Sequence, residues 1–212
     1  MTGTVHVDFG DPRGMSDLGT FLARAGRANP GGAVRLQVLG GLLVTTVAVI
    51  EGSGLLGEGT VLGMRVVRVA GADELDTTVS FAAVNDRLAR DGAGAVLSVP
   101  PMTVRVPWSG LTPPRDGWEP VGQLDGAIVD SIAREGISQV AEGAPEGAGG
   151  HAVDALRRRV WARMSETVPP IPAGLAFGAH VLGFTVPGQP AAVAAQGRWT
   201  RLSTSRGHVL VR

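Results

Sequence analysis

The sequence predicts an α+β fold: a mixed, mainly antiparallel sheet covered by helices, with a helical C-terminal part ending in a β-hairpin. Three observations carry this prediction. Residues 33–71 hold the densest β-branched and aliphatic run in the chain, interrupted by Gly40-Gly41 as a tight turn would be. Apolar residues at helical spacing lie on either side of that run. The element order βαβββα, followed by two short strands, lacks the regular alternation of a βαβ protein.

Taken in order, Val5, Val7 and Phe9 alternate with His6 and Asp8, the pattern of a half-buried strand. Gly10, Asp11, Pro12 and Gly14 make a turn, and Ser16 is the expected N-cap of a helix over 16–28 with Leu18, Phe21, Leu22 and Ala25 inward. Val34, Leu36 and Val38 alternate with Arg35 and Gln37 in the next strand. Leu42 to Ile50 hardly alternates, so it belongs in the sheet centre with both faces buried. Val61 to Val69 is another strand, and the spacing of Arg65 and Arg68 predicts a bulge or change of face.

Asp76 is the expected cap of a second helix over 77–90, ended by Asp91-Gly92. Ala95–Val99 and Met102–Val106 read as short strands around Pro100-Pro101, a pair that belongs at a sheet edge. Residues 107–120 carry four prolines and two tryptophans, a connector apolar enough to pack on a surface. The expected organisation is therefore a sheet domain over 1–106, the connector over 107–120 and a helical part over 121–212, the two halves sharing one core or not. In that last part Asp125 caps a helix through Ile128, Ile132, Ile137 and Val140, weakened by Gly136, and residues 143–150 form a flexible break. Val153, Leu156, Val160 and Met164 define the next helix, with Trp161 beside the stripe. A short apolar helix runs from Ala173 to Leu182 with Gly183 as its stop, and Val193 to Arg212 closes the chain as a hairpin turning near Ser205-Arg206-Gly207.

Composition removes whole classes of chemistry. The chain has no cysteine, so disulfides, thiolate nucleophiles and iron–sulfur clusters are excluded. It has no lysine, all 19 basic residues being arginine, which excludes Schiff-base chemistry and the Walker and kinase lysines. It has no tyrosine. The arginine, alanine and glycine bias fits a GC-rich coding sequence of bacterial type. Net charge is zero, so no global attraction to nucleic acid is expected. The first residues lack the basic start and apolar stretch of a secretory signal, and Leu42–Ile50 is far too short for a membrane span. The expectation is a soluble, cytoplasmic protein with no membrane partner.

The best motif match is Gly52-Ser53-Gly54-Leu55-Leu56-Gly57, a G-x-G-x-x-G directly behind a strand. A dinucleotide site needs a helix N-terminus after those glycines. Only Glu58 to Gly63, six residues of which two are glycine, could form that helix before the chain is committed to the next strand, so the stretch reads as a loop and no cofactor is expected. His6 and Asp8 share one face of the first strand with Asp11 close behind, the arrangement of a base with its orienting carboxylate or of two metal ligands. His151, His180 and His208 are too scattered to supply a third ligand by spacing, and the plain alternative is a wet strand face, so no metal is expected. Ser203 and His208 are placed to pair across the final hairpin.

Charge is uneven in the second half. Residues 116–146 hold seven acids against Arg134, whereas 147–212 hold eight arginines against Asp154 and Glu166. These segments either pair with each other or meet another subunit. Arg201, Arg206, His208 and Arg212 are the candidate binding residues at the basic end. Three helices and a hairpin also match the order of a winged helix, but LAFGAHVLGF carries no arginine with which to read bases. The favoured reading is a non-catalytic binding or assembly protein, a homo-oligomer or the partner of another protein. The alternative is a hydrolase or metal-binding enzyme built on His6, Asp8 and Asp11.

Overall fold

The computed structural model describes residues 5–52, 57–72, 74–91, 94–143 and 149–212, and most of its strands run antiparallel to a neighbour. The fold is mixed α+β and divides into two units, one of residues 1–48 and 64–110, the other of 49–63 and 111–212. Two strands, β3 (Leu42–Ile50) and β4 (Val61–Arg68), contribute residues to both units.

In the first unit, β1 (His6–Asp8) is followed by α1 (Pro12–Ala28) and β2 (Ala33–Leu39). After β4 come β5 (Gly71–Ala72), β6 (Leu75–Ser80), α2 (Phe81–Asp91), β7 (Val96–Ser98) and a 3-10 turn at Pro107–Gly110. The sheet order here is β6-β2-β3-β4, and β1 forms the middle of a small separate sheet, β5-β1-β7. Pairs β2–β3, β2–β6, β1–β5 and β1–β7 are all antiparallel. Gly40 and Gly41 turn the β2–β3 hairpin at φ 56° and 77°, values that cost a side-chain-bearing residue dearly. Met15, Leu18, Phe21, Leu22 and Ala25 form the buried stripe of α1. They and the inward residues of the strands, among them Val34, Leu36 and Leu43, belong to the core. Each large side chain so buried contributes about 1.5–3 kcal/mol.

Several boundaries differ from the sequence expectation, each for a physical reason. Helix α1 starts at Pro12 and not Ser16, because Asp11 caps it and Pro12 has the backbone angle its first turn needs. Residues 76–80, expected as the cap and start of the second helix, belong to edge strand β6. Thr77, Thr78 and Val79 are β-branched, and Asp76 bonds Arg35 on β2 through both carboxylate oxygens at 2.8 Å. Ser80 then accepts a bond from the Ala83 amide, and the helix begins at Phe81. Residues 102–106 form no strand, although the Val104 amide bonds Thr78. Strand β1 is flanked on both sides, by β5 and β7.

In the second unit, β8 (Glu119–Asp125) leads into α3 (Gly126–Gly143), α4 (Gly150–Ala162) and α5 (Ala173–Val181). Strands β9 (Pro190–Gln196), β10 (Trp199–Thr204) and β11 (Gly207–Val211) then follow. Sheet order is β4-β11-β10-β9-β8. The expected closing hairpin is thus a three-stranded meander, with turns at Gly197 and at Ser205-Arg206. β8 was not expected: a proline and a glycine obscure it, and its ladder to β9 slips between Pro120 and Gly122. The buried face of α3 is Gly126, Val129, Asp130, Ala133 and Gly136, not the isoleucine stripe; Ile128 and Ile137 are exposed. Helix α5 is buried over Ala173–Ala179, and Gly174 and Gly178, four apart, bring its backbone against Val61 and Val209. Residues 144–148 of the expected flexible break lie outside the described residues. No described helix is long and apolar enough to cross a membrane.

Candidate functional site

The second unit contains a cleft of about 410 Å³, inside the range of roughly 300–1,000 Å³ usual for ligand sites. One wall comes from the end of β3 and the turn beyond it, at Ile50, Glu51, Gly52, Glu58, Gly59 and Val61. The other comes from α4 and the start of α5, at Arg158, Trp161, Ala162 and Pro172. Arg198, Thr200, Val211 and Arg212 on the last two strands complete it.

Local sequence explains each wall. The Gly52 amide donates to Thr60 Oγ1 at 3.1 Å, and a Cβ on Gly52 would lie 2.5 Å from Glu58 O. Only glycine lets the chain close there. The Gly59 amide donates to Arg212 O at 3.1 Å, tying this turn to the end of β11. Thr200 and Val211 are register partners on β10 and β11, so they share one face. Trp161 is stacked on Phe177, with ring centroids 4.3 Å apart. Its Cε3–Cζ3 edge abuts Gly136. Its Nε1 is buried, with no acceptor among the described residues. Arg158 lies one turn before Trp161 on the same helix face. The guanidinium of Arg212 sits 5.9 Å from the ring centre of Trp199.

The chemistry follows from the lining. Among the described residues, three guanidinium groups stand against two side-chain carboxylates over an apolar floor, and the lining holds no histidine, serine or aspartate. Such a surface takes apolar side chains and an anionic group together.

A second polar cluster joins α3 to α5. Asp130 is buried, with His180 Nδ1 at 2.9 Å and the Thr185 hydroxyl donating at 2.6 Å to its Oδ1. Arg134 lies 3.6 Å from its other oxygen. Burial pushes the Asp130 carboxyl up, but Thr185, His180 and Arg134 outweigh it and hold the group below its ordinary value.

The residues singled out from sequence fall elsewhere, with one exception. His6 is exposed opposite Ser98. Asp8 accepts the Gly10 amide at 2.8 Å and Asp11 the Arg13 amide at 2.8 Å, so both close local turns. Among the described residues no three His, Asp or Glu side chains converge as a metal site. Arg201 stacks on Trp118 at 4.3 Å, and burial lowers its pKa. His208 Nδ1 lies 2.9 Å from Ser203 Oγ; burial and then Arg201 push its pKa down. Arg206 donates to Gly183 O at 3.2 Å. Of the four basic-end candidates only Arg212 reaches the cleft. Gly57 is followed by a turn and β4, not a helix, while residues 53–56 lie outside the described residues. Neither the cleft nor the Asp130 cluster had a sequence signal, because their members lie tens of positions apart and match no motif.

Comparison with known proteins adds the following. A family model described as a domain of unknown function (DUF8010) matches residues 2–110. A second, also described as a domain of unknown function (DUF8185), matches residues 113–212. No curated protein matches the sequence. Among solved structures, the chain is similar to a DnaN sliding clamp (DNA polymerase III subunit beta) from Bartonella birtlesii bound to griselimycin, at 10% identity and TM-score 0.58 over 98% of this chain and 64% of that one. It is also similar to a DNA polymerase sliding clamp from Pseudomonas aeruginosa with ligand, at 11% identity and TM-score 0.53, again over 98% and 64%. At such identity the likeness is one of fold. The chain spans just under two thirds of the length of these clamps.

Proposed function

The chain belongs to the DUF8010 family, whose description names no activity, and we propose that it is a non-catalytic interaction and assembly protein whose second unit docks a short segment of a protein partner. The observation that carries this is the cleft itself: an apolar floor that includes Trp161, rimmed by Arg158, Arg198 and Arg212. An extended segment bearing one apolar anchor and a neighbouring acidic side chain satisfies both features at once. The anchor fills the floor, and the carboxylate meets the rim. The clamp of the same fold solved with griselimycin supports the reading, in that a bound ligand is compatible with this fold.

The test is selection of binders from a displayed peptide library, followed by affinity measurement against the wild type and Thr200→Trp, which fills the cleft from β10. The expected binders pair an apolar residue with Asp or Glu, weaken by about tenfold or more with Thr200→Trp, and weaken again in high salt. Absence of enrichment, or binders indifferent to Thr200→Trp, overturns the reading.

A further inference from the structure

Between α4 and α5 the chain makes a loop, residues 163–172, that is rigid and yet holds apolar side chains in water. Its base is closed by the Ala173 amide donating to Arg163 O at 2.8 Å and by a bridge between Met164 and Pro172. Inside, the Ser165 amide donates to Ile171 O at 2.8 Å and the Ile171 amide to Ser165 Oγ at 2.9 Å. The Ser165 and Thr167 hydroxyls are 2.7 Å apart, and Thr167 donates to Pro169 O at 2.8 Å. Pro169 is buried over Gly122, where a Cβ would come within 2.9 Å of it, and Ile171 is fully buried. With its polar groups paired inward and 169 and 171 anchored, the loop still presents Val168 at 91% exposure and Met164 at 50%, with Glu166 exposed between them.

A side chain held outward on a preorganised loop loses little entropy when a partner covers it. What would cover this one is indicated by the same unit. The loop offers apolar tips and the carboxylate of Glu166, its one guanidinium, Arg163, being paired with Glu135 at 2.6 Å; the cleft offers an apolar floor and a rim of three arginines and two glutamates. Pro172 ends the loop and also lines the cleft, so the two features are neighbours on one surface. Neighbouring complementary features are what a two-fold contact uses, each copy giving what the other receives.

We propose that the occupant of the cleft is the 163–172 loop of a second copy of this chain, with Val168 on the partner's apolar floor and Glu166 against its rim arginines. This rests on the docking reading of the cleft and names its partner. The test is sedimentation velocity of the full chain from roughly 1 to 100 µM, the span over which a modest interface fills. The variants are Val168→Asp and Glu166→Arg on the loop and Thr200→Trp and Arg198→Glu at the cleft, each checked for unchanged circular dichroism. The expected result is a concentration-dependent dimer in the wild type and self-association at least about tenfold weaker in every variant. The double variant Glu166→Arg with Arg198→Glu should recover part of the loss. A wild type that stays monomeric, a dimer that Val168→Asp leaves intact, or one that Val168→Asp breaks and both cleft variants spare, each overturns the proposal. Should the wild type stay monomeric and yet bind library-selected peptides in a Thr200→Trp-sensitive way, the cleft reading stands while this one falls.

Discussion

Replacing Gly136 with alanine tests how α3 and α4 are fitted together. In an ordinary helix interior that change adds stability, about 1 kcal/mol, because glycine has more backbone freedom to lose. Here an ideal Cβ would stand 2.4 Å from Cζ3 of Trp161, 2.9 Å from Cη2 and 3.2 Å from Cε3, where carbon atoms prefer about 3.5–4.0 Å. The indole cannot easily retreat, since it is stacked on Phe177 and its backbone packs close to Gly174. Overpacking of this kind costs about 1–3 kcal/mol. The cost outweighs the propensity gain, and a net loss near 1 kcal/mol lowers Tm by about 2–4 °C in a chain of this size. The control is Gly19→Ala in α1, where the nearest side-chain atom is 3.8 Å away, an ordinary contact; there the propensity term acts alone and Tm rises. Thermal and urea unfolding followed by circular dichroism measure both. Equal stabilisation by the two substitutions would refute the packing argument, and with it the claim that Gly136 sets the position of Trp161 in the cleft.

Three more outcomes are expected. Gly126→Ala would place a Cβ 2.2 Å from the Val186 carbonyl oxygen, a backbone atom with nowhere to go, so a loss of about 3 kcal/mol or more should appear in urea unfolding. Asp11→Ala removes the α1 cap and should cost about 1 kcal/mol by the same measurement; no change would leave the cap without energetic weight. Asp130→Asn should destabilise the protein at neutral pH by about 1–3 kcal/mol. Because the folded carboxyl is held below its ordinary value, its contribution is complete above the unfolded value of about 3.9 and is lost as pH falls through the folded one. The gap between wild type and variant should therefore close below about pH 4, and a gap constant from pH 7 to 3 would contradict this.

Much of the fold was legible in the sequence because local rules decide it. The Gly40-Gly41 hairpin, the doubly buried β3, the stripe of α1 and the Gly183 stop of α5 each follow from periodicity or turn chemistry within a few residues. The errors fall where a distant partner overrides local preference. Asp76 resembles a helix cap until Arg35, 41 positions earlier, claims its carboxylate across a strand pair. The isoleucines of α3 look like a core stripe, yet the face that Trp161 and Val186 press on is the one carrying Gly126, Val129, Asp130, Ala133 and Gly136. Strand β8 is hidden by Pro120 and Gly122, residues tolerated at the edge of a sheet and at a slip in its register.

What the sequence determined alone is the alphabet of possible chemistry and the run of most elements: without cysteine, lysine or tyrosine, several reaction classes are closed before any fold is considered. What tertiary structure decided is which residues meet. The cleft gathers Gly52, Arg158, Trp161, Arg198 and Arg212 from four separate stretches, and the Asp130–His180 pair spans 50 positions. Such meetings are fixed by packing, a sum over many non-local contacts, and no short window of sequence records them.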